Sequence, residues 1–387
     1  MTTNPSELSL EFKLDGSTNL PASSGSKNAS HGKYIQRFHV DQRLDSPDYF
    51  SVQVSIDEGN NTLEILDKIK PGAVVELFVG YGTEGTIFKG EVSYIEPRFS
   101  AGDNSLTISG YDFSHRMTRG TTSRTFGDGH KQEQDPGSIL STVVSESKAL
   151  KGGSSDGLSA DTKAAGHKLE YIGQYNMNDY QFIQQVIGNF GLGWDAKSHS
   201  NGKQVSLKPA ELSAGSVLKI CRDKFNASSE AQASSADFRL STVRQVACVE
   251  VRGWDTKAKK PILGKAESLS STLGGTAGTQ QAGKAHYGSS SAGRVLTIVD
   301  VPVGSEDEAK GIAQSILDKL GMDWMTADVV IEGRPDLHAG VVVDLDGFGT
   351  RYSGKYLVEG CQHVYVAGSG SSYRCYLKLA RNASPEP

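Results

Sequence analysis

Gly340-Val341-Val342-Val343-Asp344-Leu345, a turn at Asp346-Gly347-Phe348-Gly349, and Tyr352-Ser353-Gly354-Lys355-Tyr356-Leu357-Val358 make up the stretch whose reading decides the fold. It runs from Ala339 to Arg381, with a second turn at Gly368-Ser369-Gly370. Alternation puts Tyr356, Val358, Val364 and Val366 on one face of a strand, and Tyr373, Cys375, Leu377 and Leu379 on one face of the next. Period-two apolar runs broken by glycine-rich turns predict a half-buried antiparallel sheet. An earlier stretch repeats the pattern: Pro71-Gly72-Ala73-Val74-Val75-Glu76-Leu77 leads through Gly80-Tyr81-Gly82 to Phe88-Lys89-Gly90-Glu91-Val92. Both read glycine, apolar triplet, acid, leucine, glycine-bearing turn, aromatic-x-glycine, strand. The echo predicts a duplicated small barrel. Gly72, Gly90, Gly340 and Gly354 are then structural turn or corner positions rather than ligand-binding ones.

Composition agrees with many short strands. The chain has 387 residues, 37% apolar, with 44 glycines, long enough for two or three domains. A formal net charge of -5 gives no electrostatic footprint for nucleic acid or an anionic membrane. The compact basic cluster Lys257-Ala258-Lys259-Lys260 reads as a solvated turn. No apolar run approaches the roughly 20 residues that span a bilayer, and the N-terminus lacks a signal-peptide pattern. The expectation is synthesis in a cytosol, with no membrane span. Cys221, Cys248, Cys361 and Cys375 show no C-x-x-C spacing, which predicts buried thiols rather than a zinc or redox site. Whether Cys361 and Cys375 pair stays open.

The expected fold class is mainly β, α+β overall, with two similar small β-barrels flanking a middle α+β domain. The first barrel is assigned to 1–118, the connecting α+β domain to 119–215, and the second barrel to 216–381. The second barrel carries a flexible insertion at about 260–294 and a helix at about 305–320, and 382–387 is a polar tail. Strands are predicted at 7–13, 35–40, 49–56, 73–79, 86–95 and 105–111, and later at 204–207, 217–220, 243–251 and 295–303. Asp135-Pro136 opens a helix with Ile139, Leu140, Val143 and Val144 on one face. Asn178 and Gln181, then Ser305 and Glu308, read as capping boxes for two more.

Catalytic signatures are absent from the sequence. Gly80-Tyr81-Gly82-Thr83-Glu84-Gly85 matches G-x-G-x-x-G, but a strand rather than a helix follows, so the glycines suit a hairpin turn. Asp344-Leu345-Asp346-Gly347 opens like a calcium loop without the downstream acid and reads as an Asp-Gly turn. His363 alternates with Glu359 and Cys361 and is expected as a partly exposed barrel-wall residue. The expectation is therefore a non-enzymatic chain with no catalytic residue, metal or cofactor.

Several pieces then resemble a known family in order. They are Ser109-Gly110-Tyr111-Asp112-Phe113, Asn178-Asp179-Tyr180-Gln181-Phe182-Ile183, Gly191-Leu192-Gly193-Trp194 and Val249-Glu250-Val251-Arg252-Gly253-Trp254-Asp255. Gly333-Arg334-Pro335 through Gly340, Ser353-Gly354-Lys355-Tyr356 and His363 follow. The sequence resembles the late-control protein D family, the baseplate hub of contractile phage tails. It is also similar to the N-terminal hub part of type VI secretion spike proteins and to hubs of extracellular contractile injection systems. The resemblance implies a homotrimer that joins a hexameric inner tube protein to a separate trimeric spike protein, among other baseplate proteins. The alternative reading is a carbohydrate-active enzyme or carbohydrate-binding β-sandwich, for which clustered exposed Trp and Tyr would speak; Trp194, Trp254 and Trp324 are far apart in sequence.

Overall fold

A computed structural model describes residues 8–15, 18–19, 35–56, 66, 69–81, 85–101, 104–128, 133–146, 158–160, 168–190, 195–198, 205–208, 212–223, 230–284, 294–367 and 372–385. Six longer strands form the first unit, with Thr18–Asn19 paired to the first of them: β1 (Leu8–Leu14), β2 (Ile35–Arg43), β3 (Tyr49–Ser55), β4 (Val74–Tyr81), β5 (Gly85–Arg98) and β6 (Ser105–Tyr111). Their order in space is β1-β4-β5-β6-β3-β2, antiparallel at every step. Each strand turns alternate apolar residues inward; Phe12, Phe50 and Phe88 meet in the middle, with Phe50 and Phe88 ring centroids 4.7 Å apart.

The connecting region holds β7 (Thr122–Phe126), α1 (Pro136–Glu146), β8 (Ile172–Met177) and α2 (Asp179–Phe190). Strands Asp195–Ser198, Val205–Lys208 and Leu158–Ala160 make a separate small sheet. The capping box of α2 forms as expected: Gln181 N–H donates to Asn178 Oδ1 at 2.7 Å and Asn178 N–H to Gln181 Oε1 at 3.3 Å. Asp135 accepts from Gly137 N–H at 2.9 Å, so α1 also has its first orphan donors satisfied.

Next come β9 (Leu218–Cys221), β10 (Glu230–Leu240), β11 (Cys248–Asp255), β12 (Lys260–Ala266), β13 (Val295–Ile298) and α3 (Glu306–Met322). The last strands are β14 (Met325–Glu332), β15 (Val342–Asp346), β16 (Gly354–Val366) and β17 (Ser372–Arg381). The second barrel is a closed ring of six, β9-β15-β16-β17-β14-β10 and back to β9. Chain order and spatial order match the first unit strand for strand: β1 answers to β9, β2 to β10, β3 to β14, β4 to β15, β5 to β16 and β6 to β17. The protein is mainly β, with two similar barrel units and an α+β region between them.

Several boundaries differ from the sequence reading. The sheet β12-β11-β13 and helix α3, assigned to the second barrel, pack into the same core as α1 and α2, where Phe126, Phe182, Val251 and Ile312 meet. Ser305 caps α3 by accepting Glu308 N–H at 3.1 Å, while the Glu308 carboxylate reaches back to Gly304 N–H at 2.7 Å rather than to Ser305. Gly264 lets β12 lie against the α3 backbone at Ala309; an added Cβ there would collide with it.

The flexible insertion expected at about 260–294 begins as a ladder-bonded strand, and its 267–284 part follows an ordered path. That part buries Leu273, Ala277 and Ala282 and is also fixed by polar contacts with the expected tail. Leu273 N–H donates to Asn382 Oδ1 at 3.0 Å, and Gln281 reaches Ser384 O at 2.9 Å. Asn382, Ala383 and Ser384 are buried accordingly. Residues 285–293 and 386–387 lie outside the described residues, as do Trp194 and Gly82.

Candidate functional site

The two barrels meet along β16. Its first turn of chain pairs with β15, Leu357 opposite Val342. Beyond Glu359 the same edge changes partner and pairs with β2 of the first unit, from Gly360 opposite Arg43 to Val366 opposite Arg37. The register against β17 slips between Val358 and Gly360, the mark of a β-bulge. One extra residue exchanges the two faces of a strand. Val364 and Val366 therefore do not share the inner face with Val358, as alternation predicted; Val366 is 46% exposed, and Cys361, His363 and Tyr365 point inward instead. His363 is fully buried rather than partly exposed.

Strand β5 carries the same bulge, between Val92 and Tyr94. Gly72 N–H donates to Val92 O at 2.8 Å and Val92 N–H to Ala73 O at 2.9 Å; Gly340 with Val358, and Val358 with Val341, repeat both bonds at 2.8 Å. Gly72 and Gly340 thus make matching backbone bonds, with φ of 82° and 90°. The other two glycines are not a pair. Gly90 stands opposite Val75, where the second barrel has Tyr356 opposite Val343. Gly354 starts β16 at φ 123°, with the Arg381 guanidinium where a side chain would go.

Equivalence exposes two edges. Past Val92, Ser93–Arg98 of β5 has no strand on its β4 side among the described residues, although the matching part of β16 holds β2. Asp195–Ser198 lies near β5 without forming a ladder with it. Tyr94 and Phe99 are 52% and 60% exposed there. Strand β10 pairs with β9 only through Gln232, which leaves Ala233–Leu240 without a partner opposite β14 among the described residues. Hence the chain has one joined seam, β2 on β16, and one open copy of each half of that seam.

Behind the seam, β16 and β17 bring Cys361, His363 and Cys375 together, with His363 opposite Cys375 in the ladder. Nε2 of His363 lies 3.1 Å from Leu337 O, so this nitrogen carries the proton and donates. Nδ1 is then the lone-pair nitrogen, 2.8 Å from the Tyr373 hydroxyl and 3.3 Å from Cys375 Sγ. Cys361 Sγ lies 3.4 Å from Nε2, and Arg334 N–H donates to Cys375 Sγ at 3.3 Å. Burial pushes the Cys361 thiol well up. Burial acts the same way on Cys375, but hydrogen bonding to Cys361 and the adjacent imidazole outweigh it and hold this thiol well below its usual range. Phe38 of β2 stacks on Tyr365 at 5.4 Å and leans on Tyr373 at 5.7 Å, closing the cluster from the first barrel's side. Sequence spacing hid this group, because no two of its members form a C-x-x-C or H-x₃-H pattern. The available signal was Cys-x-His on one strand and a Cys on the next, read across the hairpin.

Other expected features are placed plainly. Asp346 pairs with Lys219 at 2.8 Å. Strands β4 and β5 form the hairpin predicted for Gly80–Gly85. Trp324 is buried, its Nε1–H donating to Ser384 Oγ at 3.2 Å, whereas Trp254 is 58% exposed. No helix among the described residues is long and apolar enough to cross a membrane.

The family model of the Alg8 N-terminal domain matches residues 55–366, most of the chain. The chain belongs to the Alg8 N-terminal domain family. No curated protein matches it. Among solved structures, this family member is similar to the 43 kDa tail protein of prophage MuSo2 from Shewanella oneidensis, at 12% identity and a TM-score of 0.64, over 97% of this chain and 99% of that one. The tail protein of Neisseria meningitidis MC58 is similar at 11% identity and 0.64, over 97% of each chain. An Escherichia coli component of the type VI secretion system, described as structurally similar to T4 tail proteins gp27 and gp5, follows at 8% identity and 0.56, over 97% of this chain and 79% of that one. At these identities the likeness is one of fold, and it spans both barrels of the Alg8 N-terminal domain chain.

Proposed function

We propose that this chain is a structural, non-enzymatic baseplate hub of a contractile tail or injection system. In this reading it is a homotrimeric symmetry adaptor between a hexameric inner tube protein and a separate trimeric spike protein, in contact with other baseplate proteins. The observation that carries the reading is the unfinished repeat: two barrels of one topology, joined by β2 on β16, with the complementary edges on β10 and β5 left open. A second copy can repeat the seam by setting its β10 beside β5, a head-to-tail contact that closes into a ring. Three copies then supply six barrels. Pro97 at the open edge has no N–H and limits the row of donors there, a device that keeps an edge from pairing with any strand. The fold neighbours among tail proteins and a type VI component support the reading, as does the resemblance to the late-control protein D family. Synthesis in a bacterial cytoplasm, then assembly into a phage tail or injection particle, follows from it.

Native mass spectrometry across a range of concentrations tests this. A trimer, or trimer formation with the spike protein, is expected, and amides of Ala233–Leu240 that face away from β14 should gain hydrogen-exchange protection on assembly. A monomer indifferent to concentration and to the spike overturns the proposal.

A further inference from the structure

The Cys361–His363–Cys375 cluster has a chemistry that neither barrel needs for packing. Its ligand atoms all lie within 4.8 Å of one another. In a tetrahedral zinc site, metal–sulfur and metal–nitrogen bonds of roughly 2.3 and 2.0 Å place neighbouring ligand atoms about 3.5 Å apart. Here Cys375 Sγ lies 3.3 Å from Nδ1, which matches that spacing, and Cys361 Sγ lies 3.4 Å from Nε2 of the same ring. The surrounding contacts match the outer shell that metal ligands need. His363 already donates its Nε2 proton to a backbone carbonyl, which leaves Nδ1 free of hydrogen, and Arg334 N–H already points at Cys375 sulfur.

We propose that Cys361 Sγ, Cys375 Sγ and His363 Nδ1 bind a zinc ion, with the Tyr373 hydroxyl as the fourth donor. Two thiolates neutralise the dication, so the ion enters the apolar core with no net charge to bury. Both cysteines bind as thiolates, any remaining thiol proton leaving to solvent, and two zinc–sulfur bonds, one zinc–nitrogen bond and one zinc–oxygen bond to the neutral Tyr373 hydroxyl form with no change of oxidation state. The ion would tie β16 to β17 beneath the 334–337 segment, at the place where β2 of the first barrel joins the second. This inference stands independently of the hub reading.

The test uses the full chain. After equilibration with micromolar zinc and gel filtration, inductively coupled plasma mass spectrometry should find about one zinc per chain. Cobalt substitution should give the near-ultraviolet thiolate-to-cobalt band together with visible bands of a tetrahedral site. Cys361→Ser and Cys375→Ser should each abolish retention, and Tyr373→Phe should weaken zinc affinity by about tenfold. Folded wild-type protein that retains no zinc overturns the proposal, whatever the variants do. So does zinc retained equally by Cys361→Ser, which marks an adventitious ion, and so does a Cys361–Cys375 disulfide found by thiol counting in protein purified under argon.

Discussion

The first strand of each barrel runs differently, and the consequence reaches the joint between the two units. In the second barrel β9 lies parallel to both β15 and β10 and shuts the ring. In the first, β1 is antiparallel to β4 and to the short strand Thr18–Asn19, no ladder among the described residues joins it to β2, and β2 spends its free edge on β16. An unpaired edge is normally a liability that proteins blunt or cover. Here closure of one unit and non-closure of the other convert such an edge into a joint.

The interiors differ as well. Where β5 and β6 cross, the first barrel has Gly90 and Gly110, and an added Cβ would run into Tyr111 or Glu91 carbonyls. At the equivalent places the second barrel has Tyr356 and Leu379, both buried. Burial pushes the Tyr356 hydroxyl up to about 12, and it donates to Tyr352 O at 2.8 Å. One barrel is tightened by backbone approach, the other filled by side chains.

Substitutions at matched positions can break or sharpen this contrast. The largest effect belongs to the joint: Phe38→Ala removes the ring stacked on Tyr365 and should cost about 3–5 kcal/mol in equilibrium denaturation. A loss below 1 kcal/mol would show that β2 and β16 do not depend on that contact. Next, Leu379→Ala should cost about 2–5 kcal/mol as a cavity, and Gly110→Ala about 1–3 kcal/mol as a clash. Equal tolerance of both would erase the distinction between filled and tightened interiors.

Asp112 gives the first barrel a pH response. It is buried beneath β6, accepts Ser114 N–H at 2.7 Å and Asp48 N–H at 2.9 Å, and burial raises its pKa to about 6. A folded value above the unfolded one means that protonation favours the fold. Its contribution is full below about pH 4 and lost as pH rises through 6, about 3 kcal/mol at most. The stability gap between wild type and Asp112→Ala should therefore narrow between pH 4 and 7; a flat gap refutes the assignment. The smallest effect is a matched pair: Gly72→Ala and Gly340→Ala, both at positive φ, should each cost about 1 kcal/mol and by similar amounts.

Strand positions and the repeat were legible in the sequence because a half-buried sheet writes its period into every second residue. The bulge after Val358 was not, since no residue type announces it, and everything beyond it changed face, His363 included. The order of 267–284 was equally hidden. It comes from Asn382 and Ser384, about a hundred positions away in sequence, together with a few buried residues of its own such as Leu273 and Ala282. The cysteine–histidine cluster needed the hairpin register before its three members could be seen as neighbours.

The buried Asn382–Ser384 segment has a practical consequence. Pro385 leaves the protein from a point clamped by Trp324 and Gln281. A fluorophore or gold label attached at Pro385 would report the orientation of the second barrel itself. Distances between such labels would test the proposed three-fold arrangement directly.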